Sequence, residues 1–168
     1  PVNPGLYQVA GSPKSGAVFV ASAVGRPPVK ESALVKLNPE TLDVESRISP
    51  AEAPERDGKP GGLFAVYGVA VDDGNGTVWA TNTRQDTIAV YKQSDLSLLK
   101  QFAPGVVPHA RDVVVDEGNG RVYASTSFGP DLMVFDAKTL EQLPSIHIPT
   151  EVRGETFGAM ALDIDAQH

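Results

Sequence analysis

The sequence predicts an all-β chain built from copies of one four-stranded unit, and three observations carry that prediction. A long segment recurs. Val69-Ala70-Val71-Asp72-Asp73-Gly74-Asn75-Gly76-Thr77-Val78-Trp79-Ala80 returns as Val113-Val114-Val115-Asp116-Glu117-Gly118-Asn119-Gly120-Arg121-Val122-Tyr123-Ala124, at an offset of 44 residues. The register persists downstream, where Ile88-Ala89-Val90-Tyr91 matches Leu132-Met133-Val134-Phe135 and Leu96 matches Leu140. Apolar residues alternate at Val69/Val71, Val78/Ala80 and Ile88/Val90, the period of two that strands require. No segment carries a helical stripe. Four-stranded units of about 40–45 residues are the signature of a β-propeller. A single meander cannot bury both of its faces, so such units stack face to face around an axis.

The elements follow in order. A looser first copy places Val9, Gly16, Val18 and Phe19 against Val69, Gly76, Val78 and Trp79 at an offset of 60. Leu37 and Leu42 then match Tyr91 and Leu96 at an offset of 54, so six extra residues fall between the second and third strands, around 23–32. In the second unit, strands are expected over about 68–72, 77–82, 87–92 and 96–102. Asp72-Asp73-Gly74-Asn75-Gly76 and its copy from Asp116 tolerate positive φ and close tight hairpins between strands one and two. Asn38-Pro39-Glu40-Thr41, Gln93-Ser94-Asp95 and Ala137-Lys138-Thr139 turn strand three into strand four. A fourth copy begins at Leu162-Asp163-Ile164-Asp165. The expected organisation is one incomplete propeller domain over 1–168, with blades at about 5–48, 67–102 and 111–147 and the first strand of another at 159–165.

Composition narrows the function. Of 168 residues, 41% are hydrophobic and 21% charged, as in ordinary soluble domains. No apolar run approaches the ~20 residues of a membrane-spanning helix. The net charge of −7 repels a phosphate backbone, so nucleic acid is not a favoured partner. The absence of cysteine excludes disulfides, thiolate metal ligands and a cysteine nucleophile. The chain begins at Pro1 rather than Met, which reads as a processed or trimmed product from which any targeting segment has gone.

Trp79-Ala80-Thr81-Asn82 resembles the Tyr-Val-Thr-Asn signature of YVTN-type repeats, a WD40-like group of propellers. Tyr123-Ala124-Ser125-Thr126 and Phe19-Val20-Ala21-Ser22 are looser versions, and Asp86-Thr87-Ile88-Ala89-Val90-Tyr91 is similar to that family's third strand. The resemblance covers nearly the whole chain. It implies a seven-bladed ring about twice this length and an exported bacterial protein, periplasmic or secreted. It carries no catalytic motif, and some members bear a DNA-binding label. Three blades and a strand do not close such a ring. They leave a sheet face of several hundred Å² open and edge strands unpaired. The expected partner is therefore the remaining blades, from another fragment or chain. Two copies completing one ring is the alternative.

Strand direction alternates within a blade, so the 1→2 and 3→4 turns share one face of the disc. The 2→3 and 4→1 connections share the other. The turns are uniform, whereas the connections over 26–30, 49–67, 84–86, 103–111, 127–131 and 149–157 vary in length. A fixed scaffold with variable loops on one face is how binding surfaces are built, although drift in loop length gives the same pattern. The candidate binding residues are Tyr67, Arg84, His109, Arg111, Asp112, Phe128, Arg153 and Phe157. His109, Arg111 and Asp112 precede an innermost strand, where they can meet an anion or polar ligand, or form an ordinary solvated loop. Tyr67, Phe128 and Phe157 form either a binding platform or plugs between blades. Trp79 and Tyr123 read as inter-blade core, and His147 as a surface residue. The segment 50–62, rich in Pro, Gly and charge, reads as a mobile excursion.

Asp72-Asp73-Gly74-Asn75-Gly76 lacks the spacing and closing acid of a calcium loop, so no metal and no cofactor are expected. No Ser/His/Asp order and no Gly-rich loop before a helix is present. The expected function is a non-enzymatic scaffold that binds a macromolecular partner or small ligand through the variable-loop face. The alternatives are a hydrolase or lactonase with a channel-centred site and a single-stranded DNA-binding propeller.

Overall fold

The structure, a computed structural model, describes residues 3–150, 154–155 and 157–165. It contains three four-stranded antiparallel sheets, each ordered as its strands occur in sequence. The first holds β1 (Leu6–Gly11), β2 (Val18–Val24), β3 (Glu31–Leu37) and β4 (Val44–Ile48). The second holds β5 (Val69–Asp72), β6 (Thr77–Asn82), β7 (Thr87–Lys92) and β8 (Leu98–Gln101). The third holds β9 (Ala110–Asp116), β10 (Arg121–Thr126), β11 (Asp131–Asp136) and β12 (Gln142–His147). A single 3₁₀ turn, Thr83–Gln85, is the only helical element among the described residues.

The turns form as their chemistry dictates. The Asp72 carboxylate accepts the Asn75 backbone N–H at 3.0 Å and its side-chain amide at 2.8 Å. Asp116 and Asn119 repeat both bonds at the same distances, and the Asn119 side chain, then its backbone, holds the Asp116 carboxyl below its ordinary range. Gly76 and Gly120 follow at φ +66° and +62°, a conformation that side chains oppose. The 3→4 turns use one acceptor for two donors. Asn38 Oδ1 takes the N–H groups of Glu40 and Thr41, and Asp136 Oδ1 those of Lys138 and Thr139. Consecutive 1→2 turns also join. Asp73 accepts from the Ser12 hydroxyl and the Lys14 N–H, and its own N–H donates to Glu117. Local burial pushes the Asp73 carboxyl up, and the bonds from Ser12, Lys14 and Gln93 outweigh this and hold it low.

Two apolar clusters lie between the sheets. Phe19, Ala21 and Leu34 of the first sheet meet Val69, Val78, Tyr91 and Leu96 of the second. Burial raises the Tyr91 phenol to about 12. Trp79, Ile88, Val90 and Phe102 then meet Val113, Val122 and Phe135 of the third. The Trp79 and Phe135 rings lie 5.7 Å apart and the Phe102 and Phe135 rings 4.9 Å. Trp79 is fully buried and its Nε1–H lacks a partner, a cost of about 1–3 kcal/mol. The ~150–250 Å² that such a ring removes from water outweighs it.

The repeated leucines of the 3→4 turns carry an unexpected conformation. Leu42, Leu96 and Leu140 sit at φ +59°, +60° and +57°, the left-handed region that costs an L-residue about 1–2 kcal/mol. Leu96 and Leu140 compensate by packing against the preceding sheet. Leu96 is 1% exposed, whereas Leu42, with no described sheet on that side, is 57% exposed. Val9 shows the same asymmetry, at 62% against 3% for its equivalent Val69.

Three expectations change. The six extra residues of the first sheet partly extend its ladder, because β2 and β3 pair out to Val24 and Glu31 before the loop begins. Segment 159–165 forms no strand. An innermost strand pairs only with the second strand of its own blade, and no such strand is described after it. The segment 50–62 is not a free excursion but part of a short folded hairpin. Glu52 bridges Leu63 and Arg56 bridges Lys59. Its tip, Asp57-Gly58, has φ +54° and +71°, the pairing that closes tight two-residue hairpins.

The leucine turns give a direct test. Leu96→Ala is expected to destabilise the chain by about 2–5 kcal/mol, as for a buried leucine. Leu42→Gly, at the same turn position, is expected to leave stability unchanged or raise it by about 1 kcal/mol. Urea denaturation midpoints of the two variants measure the difference, and equal losses would contradict the assignment.

Candidate functional site

The innermost strands β1, β5 and β9 lie side by side, so equivalent positions of successive repeats meet near the axis. Tyr7, Tyr67 and Arg111 are such equivalents, at offsets of 60 and 44, and Met160 continues the series. Together with Gln8, Asp112 and Ala161 they line a recess of about 220 Å³ at the channel mouth. The Tyr7 and Tyr67 rings meet edge to face at 4.5 Å. Gln8 ties the three sheets together. Its Oε1 accepts the Val69 N–H at 2.7 Å and its Nε2 donates to Asp112 Oδ1 at 2.9 Å.

Asp112 differs from the ligand-contacting role expected of it. It is buried, and its carboxylate also accepts the N–H groups of Val113 and Leu162. It is a strut between elements far apart in sequence. Arg111 beside it is exposed, and its guanidinium makes no hydrogen bond or ion pair with a described residue.

His109 and Phe128 form a second group. Their rings lie 4.4 Å apart over a recess of about 300 Å³ that Asp86, Pro108, Asp131 and Met133 also line. Phe128 is 80% exposed. His109 adopts φ +48°, with its N–H held at 2.8 Å by Asp86 Oδ1. On the rim, the exposed His147 ring pairs with Asp131 at 2.8 Å.

Arg84 stands apart from both, in a recess of about 640 Å³ walled by the folded hairpin, Pro27, Pro28 and Pro104. Buried polar side chains anchor that hairpin. Gln85 Nε2 donates to the carbonyls of Gly61 and Leu63, and its Oε1 accepts the Ala65 N–H. Asn82 Nδ2 donates to the carbonyls of Phe64 and Ala65, and the Ser32 hydroxyl accepts the Val66 N–H. At the tip, Arg56 pairs with Asp86 at 3.1 Å. Thr81 and Asn82, the polar half of the Trp79-Ala80-Thr81-Asn82 motif, are therefore structural. Thr81 Oγ1 accepts the Gly68 N–H at 2.7 Å.

The eight residues singled out from the sequence thus fall into separate groups: Tyr67, Arg111 and Asp112 at the channel mouth, His109 and Phe128 beside it, and Arg84 beneath the hairpin. Phe157 is partly exposed and lines none of the three recesses. Arg153 lies outside the described residues. The opposite face carries a more open depression of about 810 Å³ around Lys14, Lys36, Lys92 and the turn carboxylate Asp73. Among the described residues, no three His, Asp or Glu side chains converge as metal ligands. Sequence reasoning missed Tyr7, which the 60-residue offset points to, and Gln8 and Gln85, which no local pattern marks.

Gln85→Ala is expected to free the hairpin. It leaves the Ala65 N–H and two carbonyls without their partner, at a cost of about 1–3 kcal/mol. Amide exchange at residues 61–65 is expected to accelerate selectively, while the amides of β6 and β7 keep their protection. Unchanged exchange at 61–65 would show that Gln85 does not hold the hairpin.

No family model and no curated protein matches the sequence. Solved structures do. A chain of Kuenenia stuttgartiensis hydrazine synthase aligns with a TM-score of 0.69 at 14% identity, over 92% of this chain and 37% of that one. U3-55K aligns at 0.65 and 16% identity, over 92% and 41%. The WD40 repeats of RRP9 align at 0.64 and 15% identity, over 85% and 38%. The chain therefore spans about two fifths of the length of these structures. Identities this low speak to the fold alone, and the fold is that of a β-propeller.

Proposed function

We propose that this protein is a non-enzymatic propeller scaffold that binds a partner protein through its variable-loop face. The observation that carries this reading is the anchored hairpin. A long 4→1 connection is held in one conformation by the buried side chains Gln85, Asn82 and Ser32, and it walls a recess of about 640 Å³ beside the exposed Arg84. Loops that merely drift in length have no need of a buried polar anchor, whereas a rigid relief lowers the entropy lost on binding. Exposed Phe128 and exposed Arg111 stand on the same face. Aromatic and arginine side chains are the residue types that anchor protein interfaces.

Peptides selected from a random library against the immobilised chain test the face. Arg84→Ala and Phe128→Ala are expected to weaken the selected peptides about tenfold or more, as at an interface anchor. Lys92→Ala, on the opposite face, is expected to leave them unchanged. The reverse pattern would move the binding surface to the other side of the disc.

We further propose that additional blades of the same repeat complete the ring, as the YVTN-type signature implies. Val9 and Leu42 are exposed where their equivalents Val69 and Leu96 are covered by the preceding sheet. The missing cover is expected to present an aromatic residue and a branched aliphatic one, where Phe19 and Leu34 stand over the second sheet. Val9→Lys with Leu42→Lys is expected to abolish most binding of an apolar fluorescent dye by the isolated chain. Leu98→Lys with Leu99→Lys, on an outer strand, is expected to have little effect. Dye binding that survives the first pair would overturn the assignment.

A further inference from the structure

The channel mouth holds one acid and one base whose states differ. The Asp112 carboxylate is satisfied on both oxygens, by Gln8 Nε2, the Val113 N–H and the Leu162 N–H. Arg111, an exposed side chain, lines the same recess, and its guanidinium has no partner among the described residues. Next to it the Tyr67 ring is buried, while its hydroxyl, which bonds no described residue, is not among the atoms sealed from solvent. Arg111 and Tyr67, each with a donor group that no described residue accepts, thus line one recess of about 220 Å³, which Tyr7 and Met160 also bound.

We propose that this recess binds a carboxylate. Arg111 supplies the planar fork of two parallel N–H donors that a carboxylate matches, and the Tyr67 hydroxyl can add a third donor. Tyr7 and Met160 cover the aliphatic stem. A cation is disfavoured, because Arg111 repels it and the Asp112 oxygens are already used. A phosphate dianion is disfavoured as well, because the buried Asp112 charge lies beside the single guanidinium. The inference rests on the reading of the variable-loop face as a binding surface, and it names the chemistry that one part of that face selects.

Two probes separate the sources of such a group: glutarate for a free organic acid, and acetyl-Ala-Glu-Ala-amide for the acidic side chain of a partner protein. NMR titration of the 168-residue chain reads the Arg111 Nε–Hε and Tyr67 ring resonances. A saturable shift with affinity on the order of millimolar is expected, as for a ligand of few atoms. The neutral analogue glutaramide is expected to give none. Tighter binding of glutarate identifies a small acid, and tighter binding of the peptide a protein side chain. Arg111→Gln is expected to weaken binding about tenfold or more, and Arg111→Lys to restore part of it. Tyr67→Phe is expected to weaken it about 2- to 12-fold, the range of one hydrogen bond. Equal binding of glutaramide, full binding by Arg111→Gln, or no shift at concentrations on the order of 100 mM, where screening is strong, would overturn the inference. If Arg84→Ala still weakens the selected peptides in that case, the carboxylate site fails and the binding face stands.

Discussion

A four-stranded meander whose strands are apolar on both sides has no stable existence alone, and every other feature of this molecule follows from that constraint. Phe19 and Trp79 occupy the same place in successive units, and each is fully buried only because the next sheet covers it. Burying such a ring contributes about 1.5–3 kcal/mol, and each interface adds a row of aliphatic side chains. Stacking on that scale sets the spacing of the sheets. The spacing brings β1, β5 and β9 together at the axis, which lets one side chain of the first sheet, Gln8, bond to both of the others. The channel mouth is thus a product of the packing between blades, and no single blade supplies all of its lining.

The repeat made much of the fold legible. Strand positions in the second unit, the Asp–Asn turns and the inter-blade role of Trp79 were all readable from periodicity and turn chemistry, because each depends on residues within a few positions of one another. What was not readable depends on partners distant in sequence. Asp112 looked available for a ligand because its bonds to Gln8 and Leu162 span 104 and 50 residues. The hairpin looked mobile because Pro54, Pro60 and a cluster of charges hid the Asp57-Gly58 turn, and its anchor Gln85 comes from another blade. At the candidate site, the 44-residue offset makes Tyr67 and Arg111 equivalents, but sequence reasoning grouped Tyr67 with Phe128 and Phe157 and Arg111 with His109 and Asp112. Tyr7 followed from the same logic and went unnoticed, because the first unit is the loosest copy.

The Trp79-Ala80-Thr81-Asn82 motif divides its work physically. Its apolar half fills the space between sheets. Its polar half binds the incoming 4→1 connection, with Thr81 on Gly68 and Asn82 on Phe64 and Ala65. A unit built this way can vary the tip of that connection freely, because the base is held by side chains on β6. Loop diversity on one face and uniform turns on the other are two results of one arrangement.

The left-handed leucines carry a consequence for how such an array comes into being. Each 3→4 turn adopts a conformation that its own sheet does not stabilise, and the compensating contact lies across the interface, as it does for Leu96 and Leu140. Part of the free energy of every unit is thereby transferred to a nearest-neighbour coupling. In the language of a one-dimensional chain of spins, the intrinsic term is lowered and the interfacial term raised, which sharpens cooperativity and penalises partly assembled intermediates. Such a chain resists unravelling blade by blade, because no unit gives up its turn without also giving up a neighbour's contact.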